Sequence, residues 1–123
     1  MLKTSAQPEA LLGWMGSLAD PTRLRLLRLL EGHELGVVDL CDVLQLPQST
    51  VSRHLKVLAD EGWVTARREA TSRLYRLALD ELEPFARRLW ILVREQAAAG
   101  ASDPDSQRLQ RVLAQRQTRS EAF

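Results

Sequence analysis

Residues 48–58 read Gln48-Ser49-Thr50-Val51-Ser52-Arg53-His54-Leu55-Lys56-Val57-Leu58, and this run has two faces of opposite character if it is helical. At roughly 100° per residue, the apolar side chains of Val51, Leu55 and Leu58 fall on one side of the helix. The polar side chains fall in an arc of roughly 100° on the other side. They are Ser49, Ser52, Arg53 and Lys56. The spacing therefore predicts an amphipathic helix that packs through one face and presents a polar face to a partner or to water.

The chemistry of this polar face suits the major groove of DNA. Small serine hydroxyls let the backbone approach base edges, arginine can read guanine with two donors, and lysine can bind a phosphate. The face carries no carboxylate, so its chemistry indicates recognition rather than catalysis. The alternative for such a helix taken alone is an ordinary solvent-exposed helix, and the neighbouring sequence has to decide between the two.

The sequence before this helix predicts a helix-turn-helix. Residues 37–44 form a short helical pattern with apolar side chains on one face, and Leu46-Pro47 separates it from the next helix. Further upstream, Asp20-Pro21 is a strong start signal, because aspartate accepts hydrogen bonds at an N-cap and proline loses no donor at the first helical position. Gly32 is predicted to end the helix that starts there, and Gly62 to end the helix of residues 48–58.

A β-hairpin is predicted directly after the helix-turn-helix. Residues 63–68 and 73–77 are rich in β-branched, aromatic and arginine residues, and the polar segment 69–72 separates them. A hairpin in this position is a wing. Its tip contains Ala70 where glycine would supply a positive φ, so we expect a turn type that tolerates a Cβ.

Two outer helices are predicted, and the later one carries more apolar surface than a small domain needs for itself. A first helix follows Pro8, and a later one is expected after Asp80 and Glu83, whose spacing resembles a capping box. We predict that both helices form a dimer interface. The residues expected there are Leu11, Trp14, Met15, Leu82, Phe85, Leu89, Leu92 and Val93.

Length and composition limit the architecture to one packed domain with tails. The chain has 123 residues, of which 45% are hydrophobic, enough for one core but not for two. The predicted fold class is mainly α with a small β-hairpin, a winged helix-turn-helix that dimerises through its N- and C-terminal helices. Residues 1–99 are expected to form this domain, and residues 100–123 a linker with a short C-terminal helix. Without a predicted membrane span or secretory leader, we expect a cytoplasmic protein.

Positive charge is concentrated around the predicted reading helix. The formal net charge is only +1, but residues 47–76 hold six Lys or Arg against three acids. Residues 1–46 hold four against six, and residues 77–123 hold seven against seven. This distribution favours contact with a polyanion through residues 47–76.

Two segments at the right separation carry a family resemblance. Residues 18–27, Leu18-Ala19-Asp20-Pro21-Thr22-Arg23-Leu24-Arg25-Leu26-Leu27, together with residues 48–58, resemble the ArsR family of bacterial winged-helix repressors, and the likeness covers roughly residues 8–98. The resemblance implies a homodimer that binds an operator and releases it when an effector arrives. The operator is then expected to be an imperfect palindrome of double-stranded DNA, with half-sites about 34–36 Å apart.

The metal positions of the resembled family are changed in this chain. Family metal sensors often carry two cysteines in a Glu-Leu-Cys-Val-Cys-Asp-Leu segment, and the matching residues 34–40 have Gly36 and Val38 instead. Other members use Asp and His pairs on the last dimer helix, but residues 79–99 contain no histidine. We therefore predict no metal site and no cofactor. The effector stays open between a small organic ligand, a thiol change at Cys41, which is expected in the core, and none.

The predicted function is sequence-specific DNA binding by a transcriptional regulator, most simply a repressor. The expected DNA contacts are Gln48, Ser49, Thr50, Ser52, Arg53, His54 and Lys56 on the helix, and Arg67, Arg68 and Arg73 on the wing. His54 is also compatible with a packed core position. No catalytic residue is predicted, because no nucleophile with a base and no cofactor motif is present.

Two alternatives of other classes stay open. Residues 105–123 resemble a segment that, in one subgroup of the family, leads into a fused S-adenosylmethionine-dependent methyltransferase, so the chain could be the regulatory part of such an enzyme. A winged helix that binds other proteins and not DNA is the second alternative.

Overall fold

The computed structural model describes residues 8–97 and 103–121, which form six α-helices and one two-stranded antiparallel sheet. A short 3-10 helix, Leu79–Glu81, precedes the fifth α-helix. The elements are α1 (Pro8–Leu18), α2 (Pro21–Leu30), α3 (Val37–Leu44), α4 (Gln48–Asp60), β1 (Thr65–Glu69), β2 (Ser72–Arg76), α5 (Pro84–Ala97) and α6 (Pro104–Glu121). The predicted mainly α fold with a small β-hairpin is confirmed.

The start of α2 follows the capping chemistry that the sequence predicts. The carboxylate of Asp20 accepts hydrogen bonds from the backbone N–H groups of Thr22, at 2.8 Å, and Arg23, at 3.2 Å. Pro21 is the first helical residue, where its missing N–H costs nothing. The helix ends at Leu30, two residues before Gly32, which lies in the following turn.

A three-residue turn, Gln45 to Pro47, connects α3 to α4 and completes the helix-turn-helix. Gln45 adopts a left-handed conformation with φ 57° and ψ 49°, and its N–H donates to the carbonyl oxygen of Cys41. This conformation ends α3 and turns the chain so that α4 can pack across it.

The core lies between the inner faces of the helices and the start of the hairpin. Its largest fully buried side chains are Trp63 and Trp90, surrounded by leucines from α2, α3 and α4. The indole N–H of Trp90 donates to Glu31 at 2.9 Å, so its polar atom is satisfied within the core. Leu109 and Val112 of α6 belong to the same buried cluster.

The C-terminal helix differs from the prediction. It is 18 residues long, not short, and it packs against α3 and α2. Arg25 donates two hydrogen bonds to the carboxylate of Asp105, at 2.8 and 2.9 Å, and Arg108 donates to the carbonyl oxygen of Val43. Helix α6 therefore contributes to the common core, while the division into residues 1–99 and 100–123 stays a prediction.

The hairpin is shifted from its predicted limits. Trp63 and Val64 were expected in the first strand, but they are buried residues before β1 begins at Thr65. Glu69 pairs with Ser72, so Ala70 and Thr71 form a two-residue turn. Ala70 has φ 56°, and the expectation of a turn that tolerates a Cβ is wrong, since this position is one that favours glycine.

The base of the hairpin is joined to the segment before α3, which the sequence did not suggest. Tyr75 and Leu35 exchange two backbone hydrogen bonds, at 2.8 and 3.0 Å. A further backbone bond joins the N–H of Leu77 to the carbonyl oxygen of Leu30 at 2.9 Å. These contacts hold the wing against the helix-turn-helix.

The start of α5 also differs from the predicted capping box. The carboxylate of Glu83 itself accepts hydrogen bonds from the N–H groups of Phe85 and Ala86, and Pro84 is the first helical residue. Leu82 precedes the helix and is only 7% exposed in the single chain. Its assignment to the dimer interface is therefore corrected to the core.

No helix in residues 8–97 and 103–121 is both long and apolar enough to cross a membrane.

Candidate nucleic-acid interface

Helix α4 has the two faces that its sequence predicts. Val51, Leu55 and Leu58 are at most 1% exposed and anchor the helix in the core. The outer face carries four exposed polar side chains. They are Gln48, Ser49, Ser52 and Arg53. Their side chains form no hydrogen bond or ion pair with other residues that the structure describes. The core thus holds α4 with its predicted base-contacting residues turned to solvent.

The three residues expected to meet phosphates are placed differently from one another. Lys56 is exposed and forms an ion pair with Asp60 at 3.1 Å, a surface contact that a phosphate can replace at little cost. Thr50 is half-buried. His54 is only 8% exposed and faces inward, so its assignment as a DNA contact is corrected to a packed core histidine.

The wing separates its three predicted arginines between two faces. Arg68 and Arg73 are directly opposite each other in the hairpin register, so their side chains share one face. Neither has an ion-pair partner among the residues that the structure describes, and like charges in this arrangement repel. Arg67 lies on the opposite face, where it donates two hydrogen bonds to Glu34 at 2.7 and 2.9 Å. This pairing raises the pKa of Arg67 and lowers that of Glu34.

A partly buried polar network lies behind α4, and sequence reasoning missed its central residue, Arg23. Its Nη1 lies 3.0 Å from Nδ1 of His54, and its other nitrogens donate to the carbonyl oxygens of Ser17 and Gly16. Burial lowers the pKa of His54, with Asp20 opposing this effect and the nearby arginines adding to it. The sequence carries only a weak signal for this role, an arginine three residues after the N-cap residue Asp20.

Comparison with known proteins places this geometry in a family. Residues 20–66 match the model of the arsR family of bacterial regulatory proteins. The chain is 37% identical to the arsenical resistance operon repressor of Staphylococcus xylosus over 75 residues, which are 61% of this chain and 72% of that protein. The chain belongs to the ArsR family. It is also 37% identical, over 68% of its length and 74% of the relative, to the transcriptional activator HlyU of Vibrio cholerae.

A solved structure extends the likeness to the fold. The chain resembles the homodimeric winged helix-turn-helix DNA-binding domain of a possible ArsR-family regulator from Mycobacterium bovis, with 33% identity and a TM-score of 0.60. The match covers 79% of this chain and 90% of that one. The relatives named here are transcriptional regulators, and this ArsR-family chain has their winged helix-turn-helix fold.

The residues at the resembled ArsR metal positions do not fit a metal ion. Gly36 is the N-cap of α3 and Val38 is 79% exposed on its first turn, and neither side chain can donate to a metal. Cys41 is half-buried against the core, and burial raises the pKa of its thiol. Residues 8–97 and 103–121 contain no group of three or more His, Cys, Asp or Glu arranged to hold a metal.

The predicted dimer residues lie on α1 and α5, apart from Leu82. The rings of Trp14 and Phe85 pack edge to face with centroids 6.0 Å apart, which joins the two helices. Met15 is 49% exposed and Leu92 is 65% exposed. The remaining residues are half-buried: Leu11, Leu89 and Val93. Together with Leu12, which is 66% exposed and was not predicted, they leave a large apolar surface uncovered in the single chain.

Proposed function

We propose that this ArsR-family chain binds operator DNA as a homodimer, with the N-terminal part of α4 in the major groove. The observation that carries the proposal is the outer face of α4, whose polar side chains are exposed and without side-chain partners in the described residues, while the inner face is fixed in the core. A rigid helix with free donors is the arrangement that reads base edges.

Each exposed residue of α4 has a role that follows from its chemistry. Arg53 would read a guanine with two donors, and the amide of Gln48 would pair with an adenine. Ser49 and Ser52 are small enough to let the helix approach the bases. Lys56 and Thr50 would contact phosphates. Lys56 forms an exposed ion pair with Asp60, and Thr50 is half-buried.

The wing would contact the neighbouring DNA backbone through Arg68 and Arg73. Their cross-strand position places two positive charges side by side without a described counter-charge, and a phosphate or a narrow minor groove would relieve their repulsion. Arg67 is assigned a lesser part, because its guanidinium is engaged by Glu34.

The symmetric dimer would place two copies of α4 on one side of the duplex. The exposed apolar side chains of Met15 and Leu92 support an interface through α1 and α5, since a second copy would remove them from water. The half-sites would then lie about 34–36 Å apart, and the operator would be an imperfect palindrome. We assign the regulator to the cytoplasm, where bacterial DNA is. We further propose that it represses transcription and that an effector relieves this repression.

The test is selection of duplexes from a random-sequence library with the full chain, followed by fluorescence anisotropy at stated salt. We expect the enriched sequences to contain two related half-sites about 10 base pairs apart, or a multiple of this spacing. The selected duplex should bind at least about 1000-fold more tightly than a scrambled one. Equal affinity for both duplexes would refute the proposal and favour a module that binds other proteins.

A further inference from the structure

The guanidinium group of Arg23 joins two helices that bear on DNA binding. Its Nε donates to the carbonyl oxygen of Ser17 at 2.6 Å and its Nη2 to that of Gly16 at 3.2 Å, both at the C-terminal end of α1. Its Nη1 lies 3.0 Å from Nδ1 of His54, in the middle of α4. One side chain from α2 therefore connects the end of α1 to the helix proposed to read DNA.

The chemistry of this contact determines the state of His54. A guanidinium is always protonated and can only donate, so Nδ1 of His54 must accept and the ring must carry its proton on Nε2. A doubly protonated ring would place a second positive charge against Arg23 and leave Nδ1 without an acceptor. The charged groups that influence the ring are Asp20, Arg23 and Arg53, and burial of the ring also favours the neutral form.

A second set of bonds ties the same end of α1 to the segment after α4. The indole N–H of Trp63 donates to the hydroxyl of Ser17 at 3.0 Å, and that hydroxyl donates to the carbonyl oxygen of Gly13 at 2.6 Å. The end of α1 is thus bonded to α4 itself, through His54, and to the chain that leaves α4, through Trp63. Helix α1 also carries the exposed Leu12 and Met15 of the proposed dimer surface.

We infer that Arg23 is a positioning residue for DNA binding, which sets the orientation of α4 relative to α1 through the neutral ring of His54. The inference rests on the proposed function. In a symmetric dimer, the tilt of each α4 against its α1 determines whether both copies reach their half-sites together. Ser52 and Arg53 directly precede His54 in the chain, so a displacement of the ring moves the residues proposed to read bases.

The test distinguishes the effect of the Arg23–His54 hydrogen bond from the effects of a lost positive charge and of a general loss of stability. Arg23→Gln removes the guanidinium, His54→Leu removes the acceptor, and His54→Asn keeps an acceptor at the position of Nδ1. Arg28→Gln is the matched control, because it removes the same charge from α2 and Arg28 has no side-chain hydrogen bond among the described residues. Each full-length variant is titrated with the selected and the scrambled duplex, after its fold and its dimer are checked by thermal melting and sedimentation.

We expect the ratio of the affinity for the selected duplex to the affinity for the scrambled duplex to fall about tenfold in Arg23→Gln and in His54→Leu. In His54→Asn this ratio should stay within about threefold of that of the wild type. Arg28→Gln should leave the ratio unchanged, because the loss of one positive charge weakens binding to both duplexes alike. A purely structural role would lower the melting temperature but leave the ratio of the two affinities unchanged.

Three results would overturn the inference. The first is a folded Arg23→Gln variant that binds the selected duplex like the wild type. If that variant does not fold, equal affinities of His54→Leu and His54→Asn for the selected duplex would overturn the inference instead. The third is a ¹⁵N spectrum of the wild type that shows the His54 proton on Nδ1. A wild type without preference for the selected duplex is a distinct outcome that refutes the proposed function, and this inference with it.

Discussion

Replacing Asp105 by asparagine tests whether α6 is an integral part of the domain. The carboxylate of Asp105, a residue 6% exposed, accepts two hydrogen bonds from Arg25 at 2.8 and 2.9 Å and one from Arg108 at 3.1 Å. Asp105→Asn keeps the shape of the side chain but turns an N–H group or a neutral oxygen toward two guanidinium groups. The variant therefore removes the charge that joins α6 to α2 and leaves the apolar contacts in place.

The magnitude follows from burial on the two sides of the pair. Removing one partner of a fully buried ion pair costs about 3–5 kcal/mol, because the other charge is left uncompensated. Here the Arg25 side chain is 33% exposed, so water can reach it and reduce the cost. Asparagine also retains one acceptor. We expect the free energy of unfolding to fall by about 2–3 kcal/mol, a large part of the about 5–15 kcal/mol typical of a domain.

The assay is urea denaturation of the full chain, followed by tryptophan fluorescence and circular dichroism. With a denaturant slope of about 1–3 kcal/mol per molar, the midpoint should fall by about 0.7–3 M. Asp60→Asn is the matched control, since it breaks the exposed ion pair with Lys56 and should change stability by less than about 1 kcal/mol. The reasoning is refuted if the two variants lose the same small amount.

The pH dependence of the same variant provides an independent check. Hydrogen bonds from Arg25 lower the pKa of Asp105 from its ordinary value of 3.8, despite the opposing effect of burial. The unfolded chain therefore takes up this proton first on acidification. The stabilisation by the pair is complete above pH 3.8 and is lost as the pH falls through the folded-state pKa. The stability difference between wild type and Asp105→Asn should shrink over that range, and a constant difference would argue against the ion pair.

Three further predictions concern DNA binding, assembly and the wing. Arg53→Ala should weaken binding of the selected duplex by about 1–3 kcal/mol and relax base preference at one position, whereas Lys56→Ala should weaken binding of all duplexes and flatten the salt dependence. Anisotropy titrations at several salt concentrations distinguish the two variants, and an unchanged affinity in both would show that α4 is not in the interface. Leu92→Glu places a charge on the exposed apolar face of α5 and should convert dimer to monomer in sedimentation experiments, while a persistent dimer would locate the interface elsewhere. Ala70→Gly should raise the free energy of unfolding by up to about 1 kcal/mol in urea titrations, because glycine adopts φ 56° without a clash, and a loss of stability would contradict the strain at that position.

Much of the fold could be predicted because its signals are local. The Asp20–Pro21 start of α2 needs only neighbouring N–H groups, and the buried face of α4 follows from helical spacing. The predictions that were wrong concern residues whose environment is set by tertiary packing rather than by neighbouring residues in the chain. Glu83 caps α5 directly, although the pattern with Asp80 suggested a different start. Leu82 has apolar spacing typical of an interface, yet it fills the core.

The candidate site divides in the same way. The exposed set on α4 could be predicted from the polar arc, because a helix with one anchored face must present the other. The assignment of His54 could not, since its position at the edge of the apolar face is compatible with either environment. The hairpin register decides that Arg68 and Arg73 share a face while Arg67 pairs with Glu34, and register depends on a turn whose positive φ at Ala70 the sequence did not indicate.

The sequence alone contains the information for a helix-turn-helix with a polar outer face, because helical period, capping residues and turn residues act over only a few positions. Two features required the folded chain. Arg23 meets His54 across 31 positions, and Asp105 meets Arg25 across 80, so no local pattern could reveal either pair. Such contacts form only when packing of the core brings distant segments together, and that packing determines how α4 is held and that α6 is part of the domain.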